Sequence, residues 1–495
     1  MQPISRRRAL QLGGLGLAST LVGGAGLVRE VTARLDVTTG SALVEPPALR
    51  STGGELRVRL EAAEGPVRVA GSKATTLRYN GGLPGPTFFV QPGDRLRVRL
   101  VNRLSDPTNL HVHGLHVSPR NNGDNPFVVA PPGAAFDYDY RLPEDHPPGV
   151  FWYHPHHHGV VADQLFGGLY GAIIVGDPHT PESGSGAVPV TRERVLVVSD
   201  MSLDASGRVR SVSTMDQMLG REGDLVLVNG QARPVLAARP GERERWRIVN
   251  ACAGRYLRLR LDGQQLQLLG IDSGRFFAPR HVQEVVLATG NRADLLVTAA
   301  PGTSRLAALP YDRGGMMGMM GSGGAGGAGD IEGTTLATFE VAGSVGSALP
   351  PVPAQGQPRD LRGETVTARR ALTLAMGMGT GMGMGSGGLR FAIDGKTFDP
   401  NRVDQSVRVG SVEEWTITNT SPLDHPLHLH VWPMQLIESG GQPLDSPTWQ
   451  DVVNIPARTH VKVRVAFDTF SGRTVYHCHV LDHEDRGMMG VLEAL

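Results

Sequence analysis

The stretch YNGGLPGPTFFVQPGDRLRVRLVN, residues 79–102, decides how the rest of the chain is read, because it recurs. LVNGQARPVLAARPGERERWRIVN ends at Asn250, and a looser AIDGKTFDPNRVDQSVRVGSVEEWTITN ends at Asn419. From Asn102 to Asn250 is 148 residues and from there to Asn419 another 169, a spacing of one domain per copy rather than of a solenoid. Within the first copy, Leu96, Val98 and Leu100 alternate with Arg95, Arg97 and Arg99 after the Pro92-Gly93 turn, the period of a half-buried strand. The same alternation is expected around Trp246 and Ile248, and around Trp415 and Ile417. Short strands, frequent Gly and Pro, and few period-3.6 patterns predict an all-β protein of sandwiches. Clusters of Pro, Gly and Ser place linkers near 179–188 and 343–359. The chain then divides into a disposable leader over 1–33 and β domains over 50–180, 188–345 and 360–495.

At 495 residues the chain is too long for one core, which agrees with this division. Lys plus Arg equals Asp plus Glu, 48 each, so nothing in the net charge advertises nucleic acid or an anionic membrane surface as a partner. The only cysteines are Cys252 and Cys478; with the second read as a metal ligand, a disulfide framework is excluded and Cys252 is a buried small hydrophobe. The N-terminus, Ser5-Arg6-Arg7-Arg8-Ala9-Leu10-Gln11 running into a Gly-, Leu- and Ala-rich stretch to about Val28, resembles a twin-arginine export signal. A membrane anchor is the alternative, against which the many glycines speak. Export to the periplasm, the cell envelope or the medium is therefore expected, without stable membrane insertion.

The chemistry concentrates at His477-Cys478-His479, followed by His483 and Met488, five potential copper ligands in twelve residues. On a strand, His477 and His479 point one way and Cys478 the other, so one strand touches two metal sites. A thiolate with imidazoles and a weak thioether is a blue copper set, for which Cys478, His483 and Met488 serve and His425 supplies a further imidazole. Eight other histidines come as four His-x-His pairs, 111/113, 154/156, 428/430 and 477/479, and eight imidazoles suit a three-copper cluster. The rival reading is a histidine-rich loop beside an unrelated core cysteine, which does not account for such regular spacing.

These four motifs resemble those of the multicopper oxidases, and the chain as a whole is similar to bacterial three-domain laccases and cuprous oxidases. The resemblance implies three cupredoxin-like Greek-key β-sandwich domains and four copper ions per chain. His425, Cys478 and His483 would bind the type 1 copper with Met488 axial, and His111 and His428 the type 2 copper. His113, His154 and His479 would hold one type 3 ion, and His156, His430 and His477 the other, with the cluster clamped between the first and third domains. Electrons from phenols, aromatic amines or Cu(I) would pass from Cys478 through His477 or His479, and dioxygen would be reduced to water. Glu484 is the implied proton donor near the type 3 pair. Asp124 is the implied acid beside the type 2 copper, although its Gly123-Asp124-Asn125 setting departs from the family pattern; either carboxylate could instead be a solvated loop residue. A monomer and a type 1 centre of modest potential are expected.

Two methionine-rich runs, Met316, Met317, Met319 and Met320, then Met376, Met378, Met382 and Met384, read as glycine-rich mobile loops. Their thioethers suit Cu(I) and would form a substrate lid with Asp424; the alternative is a linker whose methionines scavenge oxidants. Leu423 stands where a cuprous oxidase would carry methionine. His158 is a candidate hydrogen-bond partner of a ligand imidazole. Trp152, Tyr153 and Tyr476 flank ligands, as core packing or as hole carriers. Rival readings are a copper-free relative acting in assembly or division, a non-catalytic copper carrier, and a copper nitrite reductase.

Overall fold

Asn80, Asn229 and Asp394 adopt left-handed backbone (φ 49°, 51° and 53°), each followed by a glycine of positive φ, so all three repeated segments begin on the same two-residue turn. In this computed structural model, which describes residues 37–176, 188–314, 333–378 and 389–495, the turn side chains also reach back alike. Their Oδ1 atoms accept from the N–H groups of Glu61, Val197 and Thr373 at 2.7, 2.8 and 2.7 Å. The segments close alike too. Asn102, Asn250 and Asn419 each accept from the N–H two residues on, while their amide groups donate to carbonyls of the following loop and of a later segment packed beside it. A buried amide so placed pairs backbone groups at each strand exit that would otherwise lack partners.

Between these ends the repeated unit is not a hairpin, because its two strands enter different sheets. Thr87–Val90 runs parallel to Gly171–Val175, and Arg95–Asn102 parallel to Glu55–Val69. The second copy repeats this with Val235–Ala238 beside Thr334–Val341 and Arg243–Asn250 beside Arg192–Met201. The third does so with Gln405–Val407 beside Met489–Ala494 and Val412–Asn419 beside Ala368–Met378. Each copy thus stitches two sheets into a sandwich, of four and five strands in the first domain and of six and five in the second and third. The expected all-β, cupredoxin-like architecture is the observed one.

Leu96, Val98 and Leu100 enter the first core, Trp246 and Ile248 the second, and Trp415 and Ile417 the third. The middle copy departs from simple alternation, since Arg245 and Arg247 are buried as well. Arg245 pairs with Asp294 and Arg247 with Glu193, and Leu296, opposite Arg245 in the ladder, packs with Val188, Leu269 and Val352. A further apolar cluster, including Trp152, Leu165, Val197 and Leu481, joins residues of all three domains.

The proposed leader and most of the linker near 179–188 fall outside the described residues, as do Met316, Met317, Met319, Met320, Met382 and Met384. Met376 and Met378 require a correction: they end the strand Ala368–Met378, opposite Phe391 and Leu389, and are not in a loop. The ladder satisfies their backbone and the third core receives the Met376 side chain, which offsets the ordering entropy that glycine-rich composition raises. No described helix is long and apolar enough to cross a membrane.

Candidate metal centre

The strand Gly472–Cys478 and the short helix Leu481–Asp485 bring one donor set together inside the third domain. Cys478 sits opposite Leu427 on the strand His425–Leu429, which carries His425 to its sulfur. His425 Nδ1 lies 3.4 Å from Cys478 Sγ, His483 Nδ1 lies 3.7 Å from it, and the two nitrogens are 3.2 Å apart. Met488 clamps both partners through its backbone, accepting from Cys478 N at 3.0 Å and donating to His483 O at 2.9 Å. All four side chains are fully buried. Burial pushes the Cys478 thiol well above its ordinary range and pulls His425 down to about 3. A thiolate and two neutral imidazoles coexist here only beside a cation, and this donor set suits a soft one.

The second set is assembled by sheet register and then by domain contact. His111 faces His154 across the strands His111–His113 and Gly149–His154, and His428 faces His477 across His425–Leu429 and Gly472–Cys478. Across the seam, His111 Nε2 meets His428 Nε2 at 3.3 Å and His156 Nε2 meets His477 Nε2 at 3.1 Å. His430 Nε2 is 3.2 Å from His477 Nε2, His113 Nδ1 is 3.4 Å from His154 Nε2, and the His479 ring lies 4.9 Å from that of His113. The all-histidine donor groups within ligand reach are His156, His430 and His477; His111, His428 and His430; and His111, His113 and His154. His111 and His430 therefore each belong to two groups, and His479 completes none of these triads among the described residues.

Desolvation, then in most cases mutual repulsion, holds all eight imidazoles below their ordinary value, with His156 and His477 near 4. Neither nitrogen of His479 has a hydrogen-bond partner among the described residues. A buried polar atom without a partner costs about 1–3 kcal/mol, so convergent neutral imidazoles fit bound metal ions better than an empty polar pocket.

Two predicted carboxylates lie at this cluster. Asp124 is buried with its oxygens 3.0 and 2.9 Å from His111 Nδ1, and desolvation raises it to about 8. Glu484 is fully buried, 2.9 Å from His477 Nδ1 and 3.3 Å from His156 Nε2, and desolvation raises it to about 7. Asp424 is placed differently. Its Oδ2 accepts from Tyr311 and Asn454 and its Oδ1 from Ala457 N, bonds that engage both oxygens. His158, expected beside a ligand, is instead exposed and packs on Phe398, because it lies past the strand end. Trp152 stacks on His154 at 4.3 Å; Tyr153 donates to Pro86 O, and Tyr476 is buried in the third core.

Several contributors carried no sequence signal. Asp451 reaches His113 Nε2 at 3.0 Å, and Thr289 donates to His479 O at 2.7 Å. Met218, on the middle-domain helix Thr214–Leu219, accepts from His483 Nε2 at 3.1 Å and covers the first donor set. Asp485 accepts from Gly159, Val161 and Ala162 N–H groups, tying the third domain to a first-domain helix start.

Comparison with known proteins returns one family. Residues 61–180, 192–305 and 372–494 each match a domain described as multicopper oxidase. The multicopper oxidase mco of Staphylococcus haemolyticus is 26% identical over 431 residues, covering 85% of this chain and 84% of that protein. Cell division protein FtsP of Dickeya dadantii is 26% identical over 503 residues, covering 99% and 98%. The structure of a multicopper oxidase from Campylobacter jejuni, described as a metallo-oxidase, superposes with a TM-score of 0.80 at 29% identity, over 93% of this chain and 98% of the other.

Proposed function

The chain belongs to the multicopper oxidase family, and from that premise we propose that it is an exported, laccase-like oxidase reducing dioxygen to water with electrons from phenols, aromatic amines and Cu(I). The observation that carries this reading is the strand Gly472–Cys478, which delivers Cys478 to one buried donor set and His477 to the other. Copper held by His425, Cys478, His483 and Met488, and by the eight paired histidines, would accept single electrons and pass four of them to dioxygen.

The chain's own residues prepare that chemistry. Cys478 is bonded through the backbone to His477 and His479, so the two sets are joined by the shortest covalent path a strand allows. Glu484 holds a proton up to about neutral pH at His477 and His156, where oxygen reduction consumes protons. Asp124 fixes the ring of His111. Full burial of the ligands excludes bulk water from both sets.

On the donor side, His483 Nε2 is bonded to Met218 O beneath the helix Thr214–Leu219, whose Met215 is exposed. Thioethers here, a soft class of ligand, favour Cu(I) as a donor. The twin-arginine resemblance supports folding before export and a place in the periplasm or envelope.

Copper-loaded protein should absorb near about 600 nm, the mark of a blue copper centre, and should take up oxygen with a phenolic donor and with Cu(I). A colourless protein after loading would sink the proposal, whereas colour without oxygen uptake would favour a copper carrier. The near full-length match to FtsP supports a second reading, a role in division or assembly. It gains if the chain neither binds copper nor consumes oxygen.

A further inference from the structure

We propose that the middle domain sets the shape of the histidine cluster through one buried ion pair, Arg292–Asp451, although it supplies none of the paired histidines. The inference rests on the copper reading above. Arg292 begins the strand Arg292–Thr298 and is fully buried where three domains meet. Its Nε donates to Val150 O of the first domain at 3.0 Å, and one terminal nitrogen donates to Gly290 O of its own domain at 3.1 Å. Both terminal nitrogens bind Asp451 of the third domain, each at 2.6 Å. A guanidinium presents its donors in a rigid planar fork, so these contacts fix the carboxylate in position and in rotation.

Asp451 passes that orientation to the cluster. Its Oδ1 lies 3.0 Å from His113 Nε2, and its carbonyl accepts from His428 Nδ1 at 2.8 Å. Those two rings come from different domains and stack at 3.8 Å with an interplanar angle of 10°. Asp451 thus touches one imidazole from each side of the seam, the His428 ring by a hydrogen bond and the His113 ring by a close carboxylate contact. Its carboxylate lies within ligand reach of His113 and His428 and could itself hold a metal ion. The bidentate arginine already engages both oxygens, which favours orienting the histidines over coordinating a metal.

The backbone around the pair is built for it. Asp272 accepts from the N–H groups of Arg292, Asp451 and Val452 and from the Asn291 amide, so both partners are anchored to one further carboxylate. Gly114, directly after His113, has φ +86°, and a Cβ there would lie 2.4 Å from an Arg292 nitrogen and 2.8 Å from Asp451 Oδ2. Gly290 meets the cluster on its other side, where a Cβ would lie 2.8 Å from His479 Nε2. The chain carrying two ligand histidines is therefore laid directly on the middle-domain loop 289–292, and only glycine allows that approach.

Arg292 and Asp451 are positioning residues on this account. Two variants test it in the full-length protein: Arg292→Lys, which keeps the charge and loses the fork, and the double change Arg292→Met with Asp451→Asn, which removes both charges of the pair together. Metal content, the electron paramagnetic resonance signal of the type 2 copper, and the blue absorption are read on each, beside circular dichroism. Both variants should fold and keep the blue band, show an altered type 2 signal or lose that copper, and turn over at least about tenfold more slowly. Unchanged metal content, type 2 signal and turnover in both variants would overturn the proposal, as would equal loss of the blue centre. Failure of the unmodified protein to take up copper would instead strike the oxidase reading.

Discussion

The type 1 donor set and the histidine cluster share a strand, yet they are assembled over different distances. Cys478, His483 and Met488 fall within eleven residues, and His425 joins them by direct strand pairing inside one domain. The cluster instead meets across a domain seam, with contacts such as His111 to His428 linking positions 317 residues apart. Its second layer, Asp451 and Arg292, draws in the domain without paired histidines. A site made by local register tolerates motion between domains; one made at a seam depends on every surface that holds the seam closed. The two regions should therefore respond differently to the same kind of damage.

The largest separation should come from Cys478→Ser. A hydroxyl cannot supply the thiolate, so the blue band and oxidation of every donor should be lost, the latter by more than about a thousandfold, while copper at the cluster stays bound. Metal analysis with absorption spectra checks this; concurrent loss of cluster copper would show that the two regions are not separable.

Glu484→Gln should give the reverse pattern. Desolvation raises Glu484 to about 7, so it carries its proton below neutrality and loses it as the pH rises through that value. The substitution should slow oxygen reduction by about a hundredfold, remove the alkaline fall in rate near pH 7, and leave the blue band unchanged. A bleached variant would place Glu484 in support of the type 1 set instead.

A third contrast concerns the metal-free protein. The buried histidines have depressed values, near 4 for His156 and His477 and near 3 for His425, so the folded chain does not take up protons that the unfolded chain binds. Stability is accordingly intact above about pH 6.5 and falls as the pH drops, each histidine costing up to about 2 kcal/mol at pH 5. Denaturant midpoints between pH 7 and 5 measure it, and loss of the seam before the third-domain core, followed by tryptophan fluorescence, would sharpen the contrast. A pH-independent midpoint would contradict the burial of these rings.

Much of this was legible without coordinates because it depends on short-range geometry. The alternation of Leu96, Val98 and Leu100 after the Pro92-Gly93 turn and the two-residue spacing of the histidine pairs follow from backbone periods. Other features misled in identifiable ways. The repeated segment reads as one strand, turn and strand, yet its halves lie in opposite sheets, since alternation does not say which partner a strand will take. Met376 looks like loop by composition and is a strand by pairing. His158 shares a histidine run with His156 but lies past the strand that aims the ligand.

What the chain's sequence alone determined was the set of donors and the rigid local pieces that carry them, because a strand's period assigns each side chain to a face whatever lies opposite. Only the tertiary structure decided which faces meet. Asp451 in Trp449-Gln450-Asp451-Val452 and Arg292 after Gly290-Asn291 bear no local mark, and both owe their roles to contacts between domains. Met218 likewise covers His483 from 265 residues away through a carbonyl, a group every residue has. Such contacts are set by the packing of whole sandwiches, where burial and complementary hydrogen bonds choose partners that no local period encodes.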